Sequence, residues 1–282
     1  MNIKMTIAYD GSRFLGWQRL QGENKKRSIQ SILECTLSNL LEEDIKIIGS
    51  GRTDAGVHAL GQVANFHLSK SKVFEGDKER IERIQSSGGS PLDSFCLQIQ
   101  KKMNQSLPED IRIRKVELVE KGFHSRFDAS WKTYCYRIDR RSVPQVFTRK
   151  YTYWYPDPLA ISEMEKVAKA YLGKHDFSAF STLRPDRKKK GNLQKDTFRT
   201  IFACDLIQKK EELWVCIQGD GFMYHMVRIL VGTMLEVGQG KRMLPEVVEA
   251  LQGGKRMETG ILLPAQGLYL QEVGYAKGIK KK

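Results

Sequence analysis

The segment Gly49–Phe66 constrains the fold of this chain more than any other, because a glycine-rich stretch stands between two short apolar segments. Residues 45–48 and 61–68 each predict a strand. Glycine permits backbone conformations that a β-carbon would forbid, and it lets a ligand approach the main chain closely. The sequence therefore predicts a shaped loop between strands, and this loop carries an arginine, an aspartate and a histidine.

The remaining apolar periodicity predicts further helices and strands. Helices are expected over 28–43, 91–107, 161–172 and 224–238, with Ser28 as an N-cap and Gly238 as a C-cap. Strands are expected near 3–9, 111–119, 131–138, 198–207, 212–220 and 267–273. Two successive units of β-α-β-β type predict an α+β protein in two related halves, 1–108 and 109–282, whose sheets meet at a cleft.

Two polar stretches interrupt this pattern. Residues 69–91 are polar and end in serine and glycine, which is typical of an insertion or a mobile loop. Residues 184–199 form the strongest basic run, and three lysines end the sequence. Basic runs of this kind are often only solvated surface.

The overall charge favours a polyanionic partner. Lys and Arg number 47 against 33 acidic residues, which gives a net charge of +14 and a pI near 9.5. Nucleic acid is the first candidate, ahead of an acidic membrane. The alternative is a surface that only keeps the protein soluble.

Several classes of protein are not indicated. The N-terminus lacks the apolar run of a signal peptide, and the apolar segment Ile229–Leu235 is too short to span a bilayer. Five scattered cysteines without a C-x-x-C pair predict reduced thiols in a cytoplasmic protein. No P-loop, dinucleotide fingerprint or histidine ligand spacing is present, so the sequence predicts neither a cofactor nor a metal site.

Arg52 and Asp54 are the candidate chemical groups of the glycine-rich loop. The guanidinium two residues away could keep the carboxylate ionised or clamp a phosphate. An ionised aspartate can serve as nucleophile or general base without a metal. The alternative is that Asp54 only forms a turn and that Arg52 is its ion-pair partner.

Two other stretches combine cations with aromatic or apolar residues. Residues 125–138 interleave Arg126 and other cations with Phe127, Tyr134 and further aromatic rings, a mixture that suits phosphates and unpaired bases. The alternative is a strand whose rings are core. Arg228, at the start of an apolar helix, could reach a phosphate or a carboxylate, or could simply extend to solvent.

The loop GRTDAGVHALGQV (51–63) resembles the signature loop of the TruA family of tRNA pseudouridine synthases. Further blocks resemble that family in the same order and span nearly the whole chain: AYDGSRFLGWQRL (8–20), SIQSILE (28–34), FHSRFDASWKTYCYRI (123–138), HDFSAF (175–180), TFRTI (197–201), FMYHMVRILVG (222–232) and PAQGLYL (264–270).

This resemblance implies roles for seven residues. Asp54 would be the essential carboxylate, Tyr134 would pack on the base and take part in proton transfer, and Arg228 would pair with the carboxylate. The implied RNA-contacting residues are Arg52, which would help to flip the target uridine, together with His58, Arg126 and Leu268, the last in the wall of the base pocket.

The resemblance also implies the fold, the reaction and the assembly. The fold would be two ferredoxin-like halves that share a central, mostly antiparallel sheet with a basic cleft. The reaction would convert uridine to pseudouridine in the anticodon stem-loop, at tRNA positions 38, 39 or 40. Asp54 would act either as nucleophile at the sugar or as the base that removes a ribose proton. Family members act as cytoplasmic homodimers without cofactor or metal.

Three alternatives to this function stay open at this stage. A paralogue could modify another uridine of tRNA or ribosomal RNA, particularly since 69–91 and 184–199 depart from the family pattern. A non-catalytic RNA-binding module could keep the fold. A metal-dependent phosphoesterase would need carboxylates clustered near Asp54, and the nearest in sequence, Glu42, Glu43 and Asp44, are expected at a helix end.

Overall fold

A computed structural model describes residues 1–20, 22, 27–69, 91–182 and 196–275. The chain divides into two compact units: unit 1 comprises residues 1–130 and 270–282, and unit 2 comprises 131–269. Most of the two stretches 69–91 and 184–199, and the three terminal lysines, lie outside the described residues. The division into similar halves at 108/109 stays a prediction.

Ten strands and five α-helices are the main elements of regular structure in these ranges. In chain order they are β1 (Asn2–Tyr9), α1 (Ile29–Leu41), β2 (Ile47–Gly49), β3 (His58–His67), α2 (Pro91–Ser106), β4 (Ile111–Val119), β5 (Ala129–Asp139), β6 (Tyr153–Trp154), α3 (Ile161–Ala170), β7 (Gly173–Asp176), β8 (Phe198–Lys209), β9 (Glu212–Gly219), α4 (Met226–Gly238), α5 (Leu244–Ala250) and β10 (Leu268–Tyr275).

Unit 1 is built on antiparallel pairing around β1 and β3. Its strand order is β4-β1-β3-β10, and the short β2 pairs with β3. The alternating residues Ile3, Met5 and Ile7 of β1 are fully buried, as their period of two requires for a strand with one face in the core. Because β1 pairs antiparallel with both β3 and β4, the sequence-predicted strands here are confirmed.

Helix α1 begins where the sequence predicts. The Ser28 hydroxyl accepts a hydrogen bond from the N–H of Ser31 at 3.2 Å, so this side chain satisfies one of the free donors of the first turn. Leu33 and Leu37 turn one apolar face into the core, where both are fully buried. The helix ends at Glu42, which takes a left-handed φ of 50°.

Helix α2 covers part of the outer strand β4. The Asn104 amide accepts from the N–H of Ile113 at 2.8 Å and donates to the carbonyl of the same residue at 2.9 Å. Gln100 donates to the carbonyl of Arg114 at 2.8 Å. These side chains satisfy backbone groups that a neighbouring strand would otherwise pair.

Unit 2 contains a second antiparallel arrangement in the order β5-β9-β8-β7, with β6 parallel to β5. The predicted hairpin of β8 and β9 is confirmed, as is the predicted α+β class with mostly antiparallel pairing. Sequence patterns did not indicate β6, β7 or α5, because each of these elements has too few residues to show a periodicity.

Gly238 is not the left-handed cap that the sequence suggests. It is the last residue of α4, and the residue with positive φ is Gly240, at 71°. A β-carbon at Gly238 would lie 2.7 Å from the Met164 sulfur of α3. Glycine here leaves room for the side chains of a neighbouring helix and does not turn the chain.

The prediction of five reduced cysteines was wrong for one pair. Cys135 and Cys216 form a disulfide. They lie directly opposite each other on β5 and β9, with their Cα atoms 4.1 Å apart, although 81 residues separate them in sequence. Local spacing rules such as C-x-x-C cannot detect a pair that is created by strand register.

Within the ranges that the structure covers, no helix is both long and apolar enough to cross a membrane.

Candidate active site

The loop 50–57 joins β2 to β3, and its first residues are fixed by a buried glutamine. Ser50 is fully buried; its N–H donates to the carbonyl of Val63 at 2.7 Å, and its hydroxyl donates to the Gln62 amide oxygen at 2.7 Å. The Gln62 amide nitrogen donates to the carbonyl of Gly51 at 3.1 Å. A single side chain on β3 therefore satisfies the polar groups at the beginning of the loop.

Thr53 anchors the middle of the loop from the side opposite to solvent. Its hydroxyl shares a buried hydrogen bond of 2.7 Å with the phenol of Tyr9, and its carbonyl accepts from the N–H of Trp17 at 3.0 Å. Burial raises the pKa of Tyr9, so its phenol stays neutral. With Thr53 held inward, Arg52 is exposed and Asp54 half-exposed.

A tight turn follows Asp54 and fixes the backbone on its other side. The Asp54 carbonyl accepts from the N–H of Val57 at 3.2 Å, and Gly56 supplies the positive φ of 77° within this turn. Gly16, with φ of 95°, packs against the loop so closely that a β-carbon would lie 2.7 Å from the Thr53 carbonyl. The loop thus presents the carboxylate of Asp54 from a defined backbone.

His58 lies at the base of the same loop, with only 2% of its surface exposed. Its Nδ1 accepts from the N–H of Gly11 at 3.1 Å and lies 3.2 Å from a carboxylate oxygen of Asp10. This geometry ties the turn after β1 to β3. The buried position favours a positioning role, and the direct RNA contact of His58 stays a prediction.

Arg126 is exposed on the turn that leads from β4 to β5. Its neighbour Ser125 is fully buried and connects this turn to the strand before the loop, since the Ser125 hydroxyl donates to the carbonyl of Ile48. Four of the predicted site residues, Arg52, Asp54, His58 and Arg126, therefore belong to connected segments of unit 1.

The other three predicted residues belong to unit 2. Tyr134 on β5 is 7% exposed, and its ring meets that of Phe222 edge to face, with centroids 5.2 Å apart. Leu268, the first residue of β10, is buried. Both side chains are thus largely buried, and their contact with a base stays a prediction.

Arg228 stands in the first turn of α4, and its side chain is half-buried. Its Nε donates to the carbonyl of Leu263 at 2.6 Å. The adjacent Pro264 carbonyl accepts from the Tyr136 phenol at 2.7 Å. Burial raises the pKa of Tyr136, and the positive charge of Arg228 offsets only part of this rise. The guanidinium is thus held against segment 263–264 by a charge-assisted hydrogen bond.

His225, which precedes Arg228 by one helical turn, has an unusual environment. It takes a left-handed φ of 63°, and its Nδ1 lies 2.7 Å from the Thr182 hydroxyl. Burial lowers its pKa to about 4, with smaller contributions from the charges of Arg228 and Arg256. At neutral pH the imidazole is therefore uncharged and can bond to the threonine.

Sequence reasoning missed the residues that hold the loop, namely Tyr9, Thr53 and Gln62. A glutamine among the apolar residues of a predicted strand was the available signal, because a buried amide needs partners. In the portion of the chain that the structure covers, no three His, Cys, Asp or Glu side chains are grouped so that they could hold a metal ion.

Comparisons with known proteins show which proteins the chain is similar to. A family model described as tRNA pseudouridine synthase matches residues 5–128 and 167–276. The tRNA pseudouridine synthase A 2 of Clostridium tetani is 37% identical, over 97% of this chain and 98% of that protein. The tRNA pseudouridine synthase A of a Bacillus species (strain KSM-64) is 39% identical, over 97% and 99%.

Two further matches are another curated relative and a solved structure. The tRNA pseudouridine synthase A of Acetivibrio thermocellus is 36% identical, over 97% of this chain and 99% of its own length. Among solved structures, the crystal structure of a Cbf5-Nop10-Gar1 complex aligns with 83% of this chain and 45% of that chain, at 12% identity and a TM-score of 0.32.

Proposed function

The chain belongs to the tRNA pseudouridine synthase family, and we propose that it uses Asp54 to isomerise uridine to pseudouridine in the anticodon stem-loop of tRNA. The reaction breaks the bond between N1 of the base and C1′ of the ribose. The base then turns, its C5 bonds to C1′, and the proton of C5 is lost while N1 gains one. Atoms and electrons balance without an external reactant.

The observation that carries this proposal is the half-exposed Asp54 on a loop whose backbone is fixed on both sides. A carboxylate that need not reorganise can meet the ribose in a reactive geometry. Two routes use this group: attack on C1′ to form a sugar ester, or removal of the C2′ proton to form a glycal. Both require the ionised form.

The other site residues have distinct proposed roles. Tyr134 packs on the base and takes part in proton transfer, and Leu268 adds apolar wall to the base pocket. Arg228 supplies a positive charge that favours an ionised carboxylate. Arg52 is exposed and contacts the RNA while the uridine leaves its stack. His58 and Arg126 complete the proposed RNA-contacting set.

The charge of +14 supplies the electrostatic attraction that holds tRNA. Extruding a stacked nucleotide costs a few kcal/mol, and phosphate contacts together with a pocket for the base offset this cost. Binding should therefore weaken steeply as salt rises. We further propose that the protein works in the cytoplasm as a homodimer, which light scattering would test.

The decisive experiment compares Asp54→Asn with wild type on an unmodified tRNA transcript. We expect pseudouridine formation to fall by about four orders of magnitude or more, with tRNA affinity retained, because the amide is neither nucleophile nor base. Asp44→Asn is the matched control, since this exposed carboxylate lies outside the loop and pairs with Lys46.

Each alternative function predicts another result. A non-catalytic RNA-binding module would give a wild-type protein that binds tRNA and makes no pseudouridine. A metal-dependent phosphoesterase would cleave the RNA and stop in EDTA. The target position is tested by carbodiimide-based mapping of pseudouridines in cells with and without the gene; a signal outside the anticodon stem-loop would point to a paralogue with another target.

A further inference from the structure

The turn between β4 and β5 exposes an aromatic ring that the proposed chemistry does not use. Phe127 in this turn is 71% exposed. A single exposed apolar side chain is ordinary in a soluble protein. What distinguishes Phe127 is its surroundings.

Two flat polar groups flank the Phe127 ring. The imidazole of His124 lies beside it with centroids 4.2 Å apart and planes inclined by 30°. The guanidinium carbon of Arg126 lies 5.9 Å from the ring centre. We refer to His124, Arg126 and Phe127 as the aromatic platform. A ring next to an imidazole and a guanidinium offers both stacking and cation–π attraction.

The platform is fixed before any ligand arrives. The Nδ1 of His124 accepts from the N–H groups of Arg126 and Phe127, both at 3.2 Å. The N–H of His124 donates to the Asp128 carboxylate at 2.8 Å, and the N–H of Asp128 donates to the His124 carbonyl at 3.0 Å. A closed turn of this kind reduces the entropy lost when a partner binds.

The turn is also tied to the strands that carry the Asp54 loop. The buried Ser125 donates from its N–H to the amide oxygen of Asn65 on β3 at 2.9 Å, and from its hydroxyl to the carbonyl of Ile48 on β2. β2 leads directly into the loop that begins at Ser50. The platform and the loop therefore share one rigid support within unit 1.

The charge balance around the platform favours contact with bases over contact with phosphates. Residues 120–128 contain two exposed cations, Lys121 and Arg126, and two exposed carboxylates, Glu120 and Asp128. A segment with this balance does not attract phosphates strongly. Its distinctive groups are the flat rings, and successive bases present flat faces that stack on such rings whatever their identity.

We propose that the aromatic platform stacks on an unpaired base of the tRNA, apart from the uridine that reacts. The proposal rests on the proposed function, because tRNA is the ligand. The net charge of +14 brings the polyanion to the protein, and the ring of Phe127 then binds a base in a loop of the RNA. The platform thus contributes affinity that does not depend on phosphate contacts.

The test compares Phe127→Leu, which keeps apolar volume, with Phe127→Trp, which keeps a stacking face. Dissociation constants for a full tRNA transcript are measured with the whole chain over a range of salt concentrations. We expect Phe127→Leu to weaken binding about tenfold without changing the salt slope, and Phe127→Trp to restore it. Arg126→Gln should also leave the salt slope unchanged, and a slope lower by about one would overturn the claim that the platform works without phosphate contacts.

Phe147→Leu is the matched control, because Phe147 is 89% exposed in unit 2. Equal losses from both leucine variants would overturn the platform as a specific contact, and so would unchanged binding by Phe127→Leu. A shift from dimer to monomer in light scattering, without loss of affinity, would show that Phe127 meets a second copy of the chain. A tRNA containing 5-iodouridine should crosslink to the peptide that contains Phe127.

The two proposals can fail separately, since binding is measured without turnover. A wild-type protein that makes no pseudouridine but loses affinity through Phe127→Leu would retain the platform and lose the proposed reaction. Normal turnover by the wild type, together with unchanged affinity of Phe127→Leu, would retain the proposed reaction and overturn the platform.

Discussion

The Asp54 loop of unit 1 and the entrance of α4 in unit 2 each hold one charged side chain, but by different means. The loop is fixed by neutral groups that do not titrate near pH 7: the Gln62 amide, the Thr53 hydroxyl and the Tyr9 phenol. At the helix entrance, the Leu263 carbonyl holds Arg228, and the titratable His225 lies one turn before it. These three supports of the loop should therefore not change with pH, whereas protonation of His225 in acid adds a positive charge near Arg228.

Among variants of these two regions, removal of the Gln62 amide should have the largest effect on activity. Gln62→Leu leaves the Ser50 hydroxyl and the Gly51 carbonyl without their present partner, and it releases the beginning of the loop. We expect kcat to fall about a hundredfold, because a displacement near 1 Å is enough for such a loss. Single-turnover pseudouridine formation measures it. Asn65→Leu is the matched variant, because Asn65 lies on the same strand but holds the turn of the aromatic platform. It should weaken tRNA binding more than it lowers kcat.

Arg228→Lys tests the helix entrance. Lysine keeps the charge, but its compact ammonium cannot reproduce the Nε–H donation to the Leu263 carbonyl with the same fork geometry. We expect kcat/KM to fall about tenfold, while Arg242→Lys, which changes an arginine paired with Glu236 at the other end of α4, should leave it unchanged. Equal activity of Arg228→Lys and wild type would show that only the charge matters.

Tyr9→Phe removes one neutral support of the loop. The substitution leaves the buried Thr53 hydroxyl without the phenol at 2.7 Å, which should cost about 1–2 kcal/mol of unfolding free energy. Denaturant unfolding of Tyr9→Phe, Thr53→Val and the double variant forms a cycle. If the two effects simply add, the hydrogen bond contributes nothing of its own.

The smallest expected effect is the pH dependence contributed by His225. Its folded pKa of about 4 lies below the unfolded value of 6.5, so the unfolded state binds a proton first as pH falls. Its contribution to stability is present above pH 6.5 and is lost as pH falls toward 4. Between pH 7 and 5 we expect the free energy of unfolding to fall by about 1 kcal/mol. This figure is already reduced because the side chain is partly exposed. In thermal unfolding, the stability of His225→Gln should fall less than that of wild type between pH 7 and 5.

Much of the fold follows from local sequence, and the supports of the site do not. The cap at Ser28, the β8–β9 hairpin and the position of Asp54 in a glycine-rich loop are visible because they depend on residues close in sequence. Cys135 meets Cys216 only through strand register, and Tyr9 of β1 meets Thr53 of the loop only through the tertiary fold. The role of Gly238 could not be predicted for the same kind of reason, because the helix that packs against it lies elsewhere in the sequence.

The amide of Asn104 has a consequence for how this protein behaves at high concentration. A strand at the margin of a sheet can recruit a strand from another molecule through its free backbone groups. At Ile113 those groups are already taken by a side chain of the protein's own helix. Substituting Asn104 would release the N–H and the carbonyl of this one residue, so we expect the amide to reduce strand addition between molecules.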